Sequence, residues 1–125
     1  MRAINNRPGK QKELLIIKRY QELIIYVYNL LKKYPSSEKH TLASETKKCL
    51  FEGLELLLYA KKAYRKSIKI KYLNGVDVKL NCLKVYIRIA KNNKYINSRN
   101  YQAWSYKITT ISNMLGGWIN QCLER

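Results

Sequence analysis

The chain has 125 residues and carries 25 Lys and Arg against eight Asp and Glu, which gives a formal net charge of +17. This length supports one domain with its own core and leaves little room for a second. A compact chain with so much uncompensated charge repels itself, which excludes an ordinary charge-balanced surface and favours a polyanionic partner. Nucleic acid is the first interpretation, and an acidic protein or a membrane surface are the alternatives.

The first half of the chain predicts two amphipathic helices. Residues 1–10 are interpreted as a loose basic tail, and residues 11–125 as the folded domain. The first helix is predicted from about Lys12 to Tyr34, where Pro35 ends it. Its apolar residues recur three and four positions apart, at Ile17, Tyr20, Ile24, Val27, Leu31 and Tyr34. The second helix is predicted from roughly Thr41 to Lys69, with an inner face of Leu50, Leu54, Leu57 and Leu58.

The second half predicts two further helices. Asn74-Gly75 is a turn signal, so the third helix is predicted from about Val76 to Asn92. Its inner residues are Val76, Leu80, Leu83, Ile87 and Ala90. Ser98 is a candidate N-cap for the fourth helix, whose inner face is Tyr101, Trp104, Ile108, Ile111, Leu115, Trp118 and Cys122. The predicted fold is therefore an all-α, antiparallel up-down four-helix bundle.

The third helix carries a second apolar stripe, roughly opposite its inner face. The stripe consists of Val78, Cys82, Val85 and Ile89. A bundle helix needs one apolar face, and a second must be covered by something. We therefore predict that this stripe is a subunit contact in a homo-oligomer; the alternative is surplus apolar patterning in an Ile-rich chain.

Two groups of cations are the candidate binding residues. The first group is Lys61, Lys62, Arg65, Lys66 and Lys69, of which Lys61, Arg65 and Lys69 would share one side of a helix end. The second group is Lys84, Arg88 and Lys91, which recur along the flank of the third helix. Rows of long cationic side chains bind the phosphates of RNA or DNA without reading sequence.

No residue pattern indicates catalysis. His40 is the single histidine and lies at a helix start, where a solvated or capping role is expected. Three scattered cysteines and one histidine do not have metal-ligand spacing, so no metal, cofactor or small-molecule substrate is predicted. Gly116-Gly117 is interpreted as a site of close approach by a neighbouring helix, and Trp104 and Trp118 as core residues.

The cysteines and the apolar pattern also indicate the compartment. Cys49, Cys82 and Cys122 are odd in number and widely spaced, which is typical of reduced thiols in a cytosol. No apolar signal-peptide core follows Met1, and charged residues interrupt the longest apolar stretch, residues 14–31. We therefore expect a cytoplasmic protein with no membrane partner.

The chain resembles a family of small four-helix-bundle proteins. The family includes the accessory variability determinant (Avd) proteins of diversity-generating retroelements and the proteins encoded by intervening sequences within 23S ribosomal RNA genes. Four segments between about Leu14 and Cys122 match its order and spacing: Ile16-Ile17-Lys18-Arg19-Tyr20, Lys48-Cys49-Leu50, Leu83-Lys84-x-x-Ile87-Arg88 and Met114-Leu115-Gly116-Gly117-Trp118-Ile119.

The resemblance implies more than the composition does. Avd-like proteins are basic, barrel-shaped homopentamers that bind nucleic acid and a reverse transcriptase, and they support template-primed synthesis of mutagenised cDNA. The family's basic pair falls on Lys84 and Arg88, where Lys84 keeps the charge of the more usual Arg but not its bidentate geometry. Two roles are open: a retroelement accessory protein, or a structural protein of a ribosomal intervening sequence.

Overall fold

The computed structural model describes residues 8–124, with side chains from Gln11 onward. Four α-helices occupy most of this range: α1 (Pro8–Leu31), α2 (Leu42–Lys62), α3 (Lys66–Asn92) and α4 (Ser98–Leu123). A short 3₁₀ turn, Ser36–Glu38, lies between α1 and α2. Consecutive helices pack against each other and α4 also packs against α1, so the predicted all-α four-helix fold is confirmed. No helix in the described part of the chain is long and apolar enough to cross a membrane.

The buried faces of α3 and α4 follow the predicted register. All five predicted inner residues of α3 are buried, from Val76 to Ala90. Six of the seven on α4 are buried as well, including both tryptophans, and Tyr101 is half-buried. Trp104 is completely enclosed, so core packing rather than base stacking explains this side chain.

The inner faces of α1 and α2 depart from the predicted ones. On α1, Ile16, Leu23 and Leu30 are buried, whereas Ile17 and Ile24 lie at the edge of the core. On α2, Leu58 is exposed and Ala60 takes the inner position at the end of the helix. Both helices carry apolar residues on adjacent faces, so their sequence pattern did not select one face.

The boundary between α2 and α3 was predicted in the wrong place. The chain leaves the helix at Ala63, whose ψ is 141°, and Arg65 is also extended at ψ 138°. Helix α3 then begins at Lys66 and continues straight through Asn74-Gly75. Residues 63–65 contain neither Gly nor Pro, so tertiary packing of the two apolar faces decides where the chain turns.

Two glycines let helices approach each other closely. A Cβ on Gly75 would lie 3.0 Å from Leu56 Cδ1, which explains a glycine in the middle of α3. A Cβ on Gly53 would collide with the hydroxyl of Tyr20, which donates a hydrogen bond to the Leu50 carbonyl at 2.8 Å. Among the described residues, Gly116 and Gly117 have no such neighbour within 4 Å, so the predicted close approach is not seen in that part of the bundle.

The loop between α1 and α2 is fastened to the end of α3. The buried Tyr34 ring packs on Tyr95, with ring centroids 5.3 Å apart. Tyr95 Oη donates to Glu38 Oε2 at 2.8 Å, and the other Glu38 oxygen accepts from Thr41 Oγ1 and from the Leu42 N–H. Glu38 therefore caps the start of α2 while it ties the loop to Tyr95.

The tail and the cysteines complete the comparison with the sequence. Residues 1–7 of the predicted tail lie outside the described residues, and Pro8–Lys10 form the start of α1. Cys49, Cys82 and Cys122 are free thiols, and His40 is exposed in the loop before α2.

Candidate nucleic-acid interface

The first group of cations surrounds a turn instead of lining one helix. Lys61 and Lys62 are the last residues of α2, Arg65 lies in the three-residue linker, and Lys66 opens α3. Lys61, Arg65 and Lys69 therefore do not share a helix face, which corrects the prediction. We call the segment from Lys61 to Lys66 the basic turn. Lys62, Arg65 and Lys66 are exposed there, and Lys61 is half-buried.

Lys69 has an internal role next to the basic turn. Its ammonium donates to the Ala60 carbonyl at 2.9 Å and to the Lys61 carbonyl at 3.3 Å. These carbonyls belong to the last turn of α2, where a cation also interacts favourably with the helix dipole. Lys69 therefore uses two of its donors within the bundle and is distinct from the exposed cations of the basic turn. Lys66 is exposed and donates to the Glu124 carbonyl at 3.1 Å, which links the turn to the end of α4.

The second group lies along α3 as predicted. Lys84, Arg88 and Lys91 are all on this helix, four and three residues apart, so they follow one flank. Arg88 and Lys91 are exposed, and Lys84 is half-buried. The ammonium of Lys91 lies 4.7 Å from the centre of the Tyr101 ring on α4, which holds it at the edge between the two helices.

The fold adds two cations that the sequence did not reveal. Lys33, after α1, and Lys94, after α3, join Lys91 around an open hollow of about 550 Å³. Tyr95, Ile96, Asn97, Ser98 and Asn100 complete its walls. Lys33 and Lys91 are far apart in the chain, so only the antiparallel packing of the helices brings them together. This hollow lies at the end of the bundle opposite the basic turn, so both ends of the bundle are basic.

Acidic side chains compensate little of this charge. Within residues 11–124 two ion pairs form: Arg19–Glu22 at 3.0 Å and Lys79–Glu52 at 2.6 Å. In the second pair the hydrogen bond lowers the pKa of Glu52 and raises that of Lys79, so both stay charged. Glu38 is engaged by Thr41, Tyr95 and the backbone rather than by a cation. Within residues 11–124, therefore, no carboxylate forms an ion pair with the cations of the basic turn or with Lys84, Arg88 and Lys91.

The second apolar stripe of α3 is uncovered in the single chain. The exposed fractions of Val78, Val85 and Ile89 are 59%, 43% and 39%, and Cys82 is half-buried beside them. Cys49 lies behind the stripe on α2, where its Sγ donates to the Lys79 carbonyl at 3.2 Å. Burial raises the pKa of Cys49 to about 11, so this thiol is not a nucleophile at neutral pH.

These features define a basic four-helix bundle that has cationic surfaces at both ends and an uncovered apolar stripe on α3. A family comparison adds a further finding: the bAvd-like family matches residues 14–122. The chain belongs to the bAvd-like family, as the resemblance predicted. No curated protein matches.

A solved structure shares the fold. It is a protein of unknown function from the S23 ribosomal protein family of Bacteroides thetaiotaomicron VPI-5482, solved at 1.70 Å resolution. The superposition has a TM-score of 0.79 and covers 87% of this chain and 98% of that chain, at 17% sequence identity. At this identity the similarity concerns the fold alone.

Proposed function

We propose that this protein is a non-enzymatic, nucleic-acid-binding accessory protein of a diversity-generating retroelement. In this role it binds template RNA and the reverse transcriptase and supports mutagenic cDNA synthesis in the cytoplasm. Membership of the bAvd-like family supports the retroelement setting. The observation that carries the proposal is the surplus of cations: the net charge is +17, and two ion pairs form within residues 11–124.

The binding mode follows from the arrangement of the charge. The basic turn and the row of Lys84, Arg88 and Lys91 present ammonium and guanidinium groups at two places on the surface. Such groups neutralise backbone phosphates and do not read base edges, so we propose binding that depends strongly on salt and weakly on sequence. The logarithm of affinity should fall with the logarithm of salt by about 0.7 to 0.9 for each phosphate neutralised.

We further propose that the Val78/Cys82/Val85/Ile89 stripe joins copies of the chain into a ring of five. A closed ring would repeat both cationic surfaces around an axis, so one assembly could hold RNA and polymerase together. Light scattering at low micromolar protein should then give about five times the chain mass of 14.8 kDa. A monomer under these conditions would remove the ring from the proposal.

Charge reversal tests the binding surfaces. We expect Lys84→Glu/Arg88→Glu and Lys61→Glu/Arg65→Glu each to weaken binding to single-stranded RNA at least about tenfold, because repulsion replaces attraction. Lys39→Glu/Lys48→Glu is the matched control, since both lysines are exposed and lie outside the two surfaces. The readouts are a gel shift with RNA and a pull-down with a reverse transcriptase from a diversity-generating retroelement. Unchanged binding in both assays, with an intact assembly, would show that these surfaces are not the functional ones.

The fold also supports a second candidate function. The similarity to an S23 ribosomal protein family structure is consistent with a structural or interaction protein encoded by a 23S rRNA intervening sequence. The gene neighbourhood separates the two candidates. A reverse transcriptase gene and a template repeat beside this gene would support the retroelement role, and flanking 23S sequence would support the ribosomal one.

A further inference from the structure

Tyr64 is the most exposed of the large apolar side chains in the described part of the chain. Its exposed fraction is 97%, and it lies at the centre of the Ala63–Arg65 linker between α2 and α3. The predicted second helix, from about Thr41 to Lys69, includes this position. The break at Ala63 removes it from any helix and turns it outward.

The other tyrosines at this end of the bundle do pack. Tyr59 on α2 and Tyr72 on α3 stack on each other, with centroids 5.3 Å apart and planes inclined by 20°. No hydrogen bond or ring contact within residues 11–124 involves Tyr64. Covering a ring of this size lowers the free energy, and its full exposure leaves it accessible to a partner.

Cationic residues flank Tyr64 on both sides in the sequence. Lys61 and Lys62 precede it, and Arg65 and Lys66 follow it, with no acidic residue between them. Proteins that bind single strands combine an aromatic ring, which stacks on a base, with cations that neutralise the neighbouring phosphates. A duplex offers the phosphates but keeps its bases stacked inside, where a surface ring does not reach them.

We propose that Tyr64 stacks on an unpaired base, while the cations of the basic turn bind the phosphates beside that base. The inference rests on the proposed function and makes it more specific, because it selects single-stranded nucleic acid over duplex. The same ring and cations could instead fit a cleft in an acidic protein, and the experiment distinguishes that outcome.

The test uses the full-length protein and three labelled probes of equal length. These are a single-stranded oligouridylate, an abasic strand with the same phosphates, and an RNA duplex, and binding is measured by fluorescence anisotropy. Tyr64→Leu should bind the oligouridylate about 5- to 100-fold more weakly than the wild type. Its affinity for the abasic strand and the duplex should stay within about twofold of wild type, since the phosphate contacts remain.

Two variants serve as controls. Tyr64→Phe keeps the ring and should bind every probe as the wild type does. Tyr106→Leu removes another exposed tyrosine, 73% exposed on α4 and outside the basic turn, and should also behave as the wild type. Circular dichroism should show unchanged helicity in all variants, because neither side chain is part of the core.

Four results would overturn the inference, and they separate it from the proposed function. Equal oligouridylate binding by Tyr64→Leu and wild type, or an equal loss on all three probes, would remove the stacking role and leave the proposed function intact. A wild type that binds no probe at low salt would remove both. Loss of the reverse transcriptase pull-down in Tyr64→Leu, with normal RNA binding, would assign the ring to a protein cleft instead.

Discussion

Two connections in the bundle each carry a tyrosine, and they use it in opposite ways. In the ten-residue connection between α1 and α2, Tyr34 is 8% exposed and packs on Tyr95. The Tyr95 hydroxyl in turn donates a hydrogen bond to Glu38. In the three-residue connection between α2 and α3, Tyr64 is 97% exposed. The longer loop needs internal contacts to become ordered, because each fixed residue loses conformational entropy. The short turn is ordered by the two helices it joins, so its side chains are available for binding.

The largest expected effect on stability comes from replacing Tyr34 with alanine, and the same replacement at Tyr64 is the comparison. Tyr34→Ala removes a buried ring and should lower the free energy of unfolding by about 2–4 kcal/mol. Tyr64→Ala should change it by less than about 0.5 kcal/mol, since the ring is almost fully exposed. Urea denaturation followed by circular dichroism measures both values. A comparable loss in the two variants would mean that the α2–α3 turn also depends on its tyrosine for order.

Tyr34→Phe refines the same comparison. The Tyr34 hydroxyl is buried and has no hydrogen-bond partner within the described residues. Removing this hydroxyl breaks no hydrogen bond within the described residues. It also removes the free-energy cost of burying a polar group away from water. Tyr34→Phe should therefore be as stable as the wild type or more stable, which shows that the ring and not the hydroxyl fastens the loop.

A smaller effect is expected at Lys94, where the backbone ends α3. Lys94 has φ 63°, in the left-handed region. This conformation allows the Tyr95 N–H to donate a hydrogen bond to the Ala90 carbonyl, with an N···O distance of 2.9 Å. Glycine adopts this conformation without the steric cost of a Cβ, so Lys94→Gly should stabilise the fold by about 0.5–1 kcal/mol. Asn93→Gly is the matched control and should destabilise, because Asn93 has an ordinary φ of −88°. Thermal unfolding of both variants gives the answer.

The smallest effect concerns pH at the α1–α2 loop. Hydrogen bonds from Thr41, Tyr95 and the Leu42 N–H lower the pKa of Glu38. A carboxylate with a lowered folded-state pKa stabilises the fold above its unfolded pKa of about 4.3, and this contribution is lost as pH falls through the folded value. Glu38→Gln should have a lower Tm than wild type at pH 7 and a smaller difference below about pH 4. A difference that is independent of pH would indicate that packing, not the charge, matters there.

The sequence was sufficient where one helical period dominates. On α3 and α4 the apolar residues of the inner face recur at a regular helical spacing, although α3 also carries the second stripe. The inner residues from Val76 to Ala90 and from Trp104 to Cys122 were predicted correctly. On α1, runs such as Leu14–Ile17 offer several adjacent faces, and only contact with the other helices decides between Ile16 and Ile17.

The α2–α3 boundary shows why turns were harder to predict. Asn74-Gly75 has the composition of a turn, but Gly75 serves helix packing against Leu56. The real turn at Ala63–Arg65 has no breaker residue, so nothing local marks it. Tyr64 was therefore missed as a candidate binding residue, although its cationic neighbours were identified. Lys33 and Lys94 were missed because their proximity depends on the antiparallel packing.

The small number of internal ion pairs also affects when the fold is stable. With two ion pairs within residues 11–124, most of the positive charge contributes repulsion to the native state and no cohesion. A polyanion that binds the folded chain would cancel this repulsion, and its binding would be thermodynamically linked to folding. The stabilisation would grow with the logarithm of its free concentration once that concentration exceeds Kd. A polyanionic partner would thus act as a folding ligand, and resistance to heat or proteolysis would rise when it binds.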